Sequence, residues 1–392
     1  MEEKSILALR AQHISPFMVM EIMERAQELE AQGRHIIHME VGEPDFPTPE
    51  VIVRAMRKAL DANFFHYTHS LGDLELREAL SSHYRSFYGV DISPERFLIC
   101  PGTSIGLNLL ISSILDAGDK VVLSNPHYSC YPNFVRFAGA TPFKVNVSEK
   151  DGFRFDPDIL GRVIRSDPTI RAVIINSPAN PTGAVWEPLR LAEIAKLGVF
   201  VISDEIYHGL NYQEERDHTI LEYTNKACVV GGFSKTFAMT GWRIGYLILP
   251  TELIRPLQII AQNFLISVNS AVQKAGVAAL KYAWEDVTRM RFLYNERRLL
   301  LLNGLRSLGF EILSEPMGAF YILAKADFIN PDSRALAFQI LEEAGVGTTP
   351  GADFGSGAEG YLRFSYATAS ENIHTGLVRV KDFLLKHSKL SV

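Results

Sequence analysis

The chain has 392 residues, 47% of them hydrophobic and 21% charged, the composition of a globular protein and not of a disordered one. At roughly 150 residues per domain, this length suggests about two to three domains with ample core. Lys and Arg number 39 against 45 Asp and Glu, a formal charge of −6, which argues against a general nucleic-acid or anionic-membrane binder.

The first residues, MEEKSILALRAQHISP, place Glu2, Glu3, Lys4 and Arg10 around a four-residue apolar run, unlike a secretory leader. Cys100, Cys130 and Cys228 form neither a disulfide framework nor a Cys/His cluster for zinc, so a reducing cytoplasm and no metal are expected. Residues 18–32 read as a helix with Met20, Ile22, Met23 and Ala26 on its apolar side, followed by the turn cluster VGEPDFPTP. Residues 97–115 are uncharged over nearly the length of a bilayer span. Pro101-Gly102, Asn108 and four Ser/Thr interrupt them, so a buried strand, a turn and a buried helix are expected.

Between about 96 and 250, short β-rich apolar runs recur with helical or loop stretches between them: FLIC, VVL, AVII, VFVI, CVV and YLIL. This predicts an α/β fold with a mainly parallel sheet between helices, the last run being a candidate antiparallel strand. Beyond it come a long helix over 282–308, strand-like FEIL, AFYIL and YLRFSYA, and helices over 333–344 and 371–386. The last of these has Ile373, Leu377, Val380 and Leu384 on one face. The expected division is an arm and part of a small domain at 1–45, a large α/β domain at 46–285, and a small α+β domain at 286–392.

In parallel α/β sheets, ligands bind where the carboxyl ends of strands meet helix N-termini. FLIC is followed by Pro101-Gly102-Thr103-Ser104, VVL by SNPHY with Tyr128, and AVII by NSPANPTG with Asn180. VFVI is followed by Ser203-Asp204-Glu205-Ile206-Tyr207, and CVV by Gly231-Gly232-Phe233-Ser234-Lys235. Each alone has an ordinary use. The Gly-Thr-Ser can be a turn and helix cap, Asp204 a cap or ion-pair member, the Asn-Pro-Thr-Gly a turn, and Lys235 a solvated cation. Their shared position at strand ends favours a site.

Together they can do specific chemistry. A lysine amine near a buried anionic cofactor can form a Schiff base, and Asp204 can keep a pyridine nitrogen protonated, which turns the ring into an electron sink. Asn180 and Tyr207 can donate to a ring oxygen, and Tyr128 can stack on the ring. A phosphate can sit at the helix start after Gly102, with Ser234 and Arg243 closing round it.

The stretch SKTFAMTGWRIGY (234–246) resembles the lysine motif of fold-type I pyridoxal-phosphate enzymes of the class I/II aminotransferase family, at Ser234, Lys235, Gly241, Arg243 and Gly245. ANPTG, SDEIY, PHYSCY, YTHSLGDLELR, VGEPDFPTP, PGADFG and YLRFSYA support it in the expected order, over nearly the whole chain. The resemblance implies a seven-stranded-type sheet and pyridoxal 5'-phosphate (PLP) as cofactor. Lys235 would be the Schiff-base lysine, Asp204 the partner of the pyridine nitrogen, and Tyr207 and Asn180 the partners of the ring oxygen. Gly102, Thr103, Ser104, Ser234 and Arg243 would hold the phosphate, and Tyr128 would cover the ring. Arg363 would take the substrate α-carboxylate, with Gly42 and Asn180 beside it. Tyr67 and Gly72 match the Tyr-x-x-x-x-Gly motif whose tyrosine reaches the partner subunit's phosphate, which implies a homodimer.

The implied activity is ping-pong transfer of an amino group between an amino acid and a 2-oxo acid. Some aspartate-using members of the family carry a lysine about two helical turns beyond the phosphate loop to meet the distal carboxylate. Here that stretch has Ile111 and no basic residue before Lys120, so the resemblance implies a neutral or aromatic donor, with Phe64, Phe65 and His66 as candidate pocket residues. A PLP-dependent β-eliminating C–S lyase is the alternative on the same fold. A regulator that borrowed the domain would need an N-terminal DNA-binding module, and the resemblance begins near residue 15. The expected partners are small molecules and a second copy of the chain, with neither nucleic acid nor membrane.

Overall fold

The computed structural model describes residues 6–389, so Glu2, Glu3 and Lys4 lie outside the described residues. Strands in chain order are β1 (Ile37–His38), β2 (Phe97–Cys100), β3 (Lys120–Asn125), β4 (Thr141–Asn146), β5 (Ile170–Asn176) and β6 (Phe200–Asp204). They continue with β7 (Cys228–Gly232), β8 (Gly245–Ile248), β9 (Tyr321–Lys325), β10 (Val346–Gly347), β11 (Thr349–Pro350) and β12 (Tyr361–Ser365).

Seven strands form one sheet in the order β2-β8-β7-β6-β5-β3-β4. β8 runs antiparallel to both of its neighbours, and the remaining pairs are parallel. The α/β class and the antiparallel last run therefore stand as expected. The central strands are apolar on both faces because helices cover both. Leu107, Leu110 and Ile111 of the helix Thr103–Ile114 pack with Leu98, Val230 and Leu247. The opposite face meets the helices Leu74–Tyr88 and Ser270–Tyr282.

The apolar runs did not reveal β4. It is an edge strand with Pro142 and Lys144 in it, and of its six residues Val145 alone is buried, so it has no continuous apolar signal. The expected FEIL strand is reduced to a single bridge, Glu311 to Lys325. Phe310 and Ile312 are buried there by packing and not by a ladder.

β11, β12 and β9 form a second, antiparallel sheet, with the helices Trp284–Ser307, Ser333–Ala344 and Ser370–Lys386 around it. The last helix buries Ile373, Val380 and Leu384 as expected, together with Gly376 and Phe383, while Leu377 is half-buried. β1 pairs in parallel with β10, which ties the segment before the large sheet to the segment after it.

The helix Met18–Ala31 buries Val19, Ile22, Ala26 and Leu29, a regular helical stripe. Ile22 and Ala26 stand on that stripe as expected, whereas Met20 is 41% exposed and Met23 half-buried, off to one side of it. Among the described residues no helix is long and apolar enough to cross a membrane.

Candidate active site

The carboxyl ends of β6 and β7 lie side by side because those strands are parallel neighbours, and a reactive group stands at the end of the first and just past the end of the second. Asp204 closes β6 and is 5% exposed. Its Oδ2 accepts from the Tyr131 hydroxyl at 2.7 Å and its Oδ1 from the Ile206 amide at 3.2 Å. Burial raises its carboxyl to about 6, and those two donors work against the rise. Lys235 follows β7, and its Nζ donates to the Gly42 carbonyl at 2.7 Å. Burial lowers this amine to about 8; Glu43 opposes the shift, and Arg363 and Arg243 add to it.

Asn180 lies in the loop after β5, held by a 2.8 Å bond from its amide to Asn176 Oδ1, while Asn176 Nδ2 donates to the Asp204 carbonyl at 2.9 Å. The Asn180 Oδ1 accepts from Arg363 Nη1 at 2.9 Å. Arg363 is 3% exposed on β12; its Nη2 donates to the Glu40 carbonyl and to Thr349 Oγ1, and its Nε has no partner. The guanidinium carbon lies 4.3 Å from the Tyr321 ring centre and 4.9 Å from that of Phe354. Tyr207 Oη is 2.8 Å from Tyr321 Oη.

One cavity of about 300 Å³ is lined by Gly42, Thr103, Ser104, Tyr128, Asn180, Asp204, Tyr207, Lys235 and Arg363. Gly42 is there by steric need, since a Cβ on it would fall 2.0 Å from Tyr321 Oη. Gly102, Ser234, Arg243 and Tyr67 do not line this cavity. Gly102 is the N-cap residue of the helix Thr103–Ile114 at φ 89°, and no side chain caps that helix. A Cβ on Gly102 would meet Arg243 Nη2 at 2.5 Å, and one on Gly245 would meet the Thr103 amide nitrogen at 3.0 Å. Bare glycines thus let the guanidinium and the helix start close on one another, leaving free N–H groups at the positive end of the dipole. Arg243 itself has φ 53°, a left-handed conformation uncommon outside glycine. Ser234 is buried just ahead of Lys235.

Tyr67 is 79% exposed and Phe65 60%, and neither these two nor Phe64 and His66 line the cavity of their own chain. The expectation that residues 64–66 shape the pocket is therefore not met within the chain.

Sequence reasoning missed the Tyr131 bond to Asp204, the Tyr321 bond to Tyr207, and the organising role of Asn176. It also missed an apolar wall made by Phe17, Val19, Met20 and Met23. Tyr131 stood inside PHYSCY, but a tyrosine that begins a helix has no mark separating a site role from packing. Among the described residues no group of three or more His, Cys, Asp or Glu side chains is placed to hold a metal.

An uncapped helix start beside an arginine can hold an anion, and a buried acid and a lowered amine can act on opposite parts of one bound ring. Known proteins share the arrangement's fold. The family described as aminotransferase class I and II matches residues 34–380. The chain is 41% identical over 386 residues to a (5-formylfuran-3-yl)methyl phosphate transaminase of Methanocaldococcus jannaschii, covering 97% of this chain and 100% of the relative. It is 38% identical over 380 residues to an aspartate/prephenate aminotransferase of Thermus thermophilus, covering 95% and 97%. A solved Thermus thermophilus aspartate aminotransferase with maleate superposes at a TM-score of 0.91 and 36% identity, covering 97% of this chain and 100% of that one. The chain belongs to the class I and II aminotransferase family, and its activity is amino-group transfer.

Proposed function

We propose that this chain holds PLP in the cavity and moves an amino group from a neutral or aromatic amino acid to a 2-oxo acid in two half-reactions, as a cytoplasmic homodimer. The observation that carries the reading is that Asp204 and Lys235, at and just past the ends of neighbouring strands, face one cavity beside an uncapped helix start. The donor set fits the cofactor: free amides of the first turn and Arg243 for a phosphate, a buried carboxylate for a ring nitrogen, and phenol and amide groups for a ring oxygen. When bound, the cofactor supplies an electron sink that makes the substrate α-proton removable.

The chain's own groups do the rest. Thr103, Ser104, Ser234 and Arg243 anchor the phosphate. Asp204 stays charged opposite the ring nitrogen because Tyr131 and the Ile206 amide hydrogen-bond it. Lys235 Nζ tethers the cofactor and, once freed, moves the α-proton; its lowered affinity for protons suits it to act as a base near neutral pH. Tyr128 covers the ring. Arg363, already fixed by Asn180, Thr349 and the Glu40 carbonyl, presents a preorganised fork to the α-carboxylate, with Gly42 alongside. The exposed Tyr67 fits a reach into a second subunit. The chain divides into 1–45, 46–285 and 286–392, and the pairing of β1 with β10 supports grouping the first segment with the last.

For the donor, the support is the wall of Phe17, Val19, Met20, Met23 and Leu107. Among the described residues that line the cavity, Lys235 and Arg363 are the basic ones, and both are already assigned. The relatives are named as transaminases, which favours transfer over β-elimination.

The test mixes the PLP-loaded enzyme with phenylalanine, leucine, alanine and aspartate at equal concentration, without oxo acid, and follows the visible cofactor band. The expected result is loss of the band, fastest with phenylalanine or leucine. Aspartate as fastest donor overturns the donor assignment. Pyruvate and ammonia released from a cysteine conjugate, without band loss to the amino acids, overturns transfer in favour of the lyase.

A further inference from the structure

The helix Met18–Ala31 brings Met20 and Met23 to the cavity, with Phe17 and Val19 beside them. Its own sequence gives it no cap, since Phe17 occupies the N-cap position and no side-chain cap hydrogen bond forms. A helix start of this kind leaves N–H groups without acceptors. The acceptor here comes from far along the chain: Asp353 Oδ1 receives the Met18 amide at 2.9 Å. Asp353 is 8% exposed, and the Ser129 hydroxyl and the Val19 amide also face its carboxylate and favour its charged form.

Asp353 sits in the short turn Gly351–Phe354, which is anchored on two sides. The Ala352 amide donates to Ser333 Oγ at 3.0 Å, and the Phe354 carbonyl accepts from the His127 amide at 3.0 Å. The neighbouring Phe354 ring packs against the Arg363 guanidinium. One turn therefore supports both the arginine assigned to the α-carboxylate and the helix that bears the apolar wall. The segment ahead of the helix has its own tether, a pair of bonds between the Ser15 backbone and the Asn133 side chain at 3.2 and 3.0 Å. Loss of Asp353 thus loosens the first turn without releasing the arm.

We propose that Asp353 is a positioning residue: it caps the helix Met18–Ala31 from the other end of the chain and so fixes Met20 and Met23 as the wall against which a donor's apolar side chain packs. The carboxylate does this as hydrogen-bond acceptor and as the negative charge favoured at a helix start. The inference rests on the donor reading above for its substrate class, and on the geometry alone for the cap.

The test compares the PLP-loaded wild type with Asp353→Ala and Asp353→Asn. In Asp353→Ala the KM for phenylalanine and leucine rises roughly fivefold, the scale of one lost helix cap, with kcat nearly unchanged. The KM for alanine, whose methyl is too short for the wall, stays where it was. Asp353→Asn keeps an acceptor oxygen and recovers most of the loss. Hydrogen exchange at the Met18 and Val19 amides speeds up in Asp353→Ala. An equal KM rise for alanine and phenylalanine, a fall in kcat with every donor, or unchanged exchange at those two amides overturns the proposal. Should wild type prefer aspartate, the donor reading falls, while the exchange result still decides whether Asp353 is the cap.

Discussion

The two sides of the cavity are built in opposite ways. On the side of the large sheet, Asp204, Tyr207 and Lys235 sit at or just past the ends of adjacent parallel strands, and buried hydrogen bonds hold Asp204 and Tyr207. On the other side, the apolar Met20 and Met23 come from a helix that lines the cavity and whose first amide is accepted by a residue near the far end of the chain. The first side is strict because a buried acid or amine that loses its partners is costly. The second is open to change because apolar contacts are non-directional and tolerate exchange of similar volume. If the apolar side sets the donor as proposed, chemistry and specificity are separable, and substitutions on the two sides should differ in kind.

The largest effect is expected at Lys235. Lys235→Ala should lower transamination by about 10³-fold or more while its elution on size exclusion stays that of the wild type, and normal turnover in that variant would end the assignment of Lys235 as the tethering amine. Asp204→Asn should cost about 10²–10³-fold in kcat. Because the Asp204 carboxyl is raised to about 6, cofactor affinity of the wild-type apoprotein should fall as pH drops through that value and the charge is lost. The Asn variant should show no such step in a spectrophotometric titration. In the same apoprotein, capture of the cofactor should quicken as pH rises through about 8, where Lys235 becomes the free amine.

Arg363→Lys keeps the charge but loses the fork and its three present acceptors. It should raise the donor KM roughly ten- to a hundredfold with a smaller change in kcat, measured by steady-state kinetics. The smallest effect tests the other side. Met20→Lys, at a position 41% exposed, should improve aspartate relative to phenylalanine by roughly two- to fivefold in kcat/KM and leave alanine unchanged. If Met20→Lys instead abolished activity with all donors, the separation of the two sides would be wrong.

The large sheet was legible because its central strands are short, β-rich and buried on both faces, and such runs mark themselves. The β4 edge strand was not, since Pro142 and Lys144 break its apolar pattern, and FEIL suggested a strand where packing alone buries Phe310 and Ile312. For the site, the residues following the strands could be read in order, and nine of those expected face one cavity. Their supports could not be read. Tyr131 is 73 positions from Asp204, and Tyr321 is 114 from Tyr207.

The amino-acid order by itself determined which groups end the strands, because periodicity, turn residues and strand propensity act over a few positions. It thereby determined the acid, the amine and the helix start. Only the tertiary structure decided what holds those groups and what faces them. A hydrogen bond between distant positions, such as the Met18 amide to Asp353 335 residues away, leaves no local trace in either segment and exists only once the packed sheets bring both together.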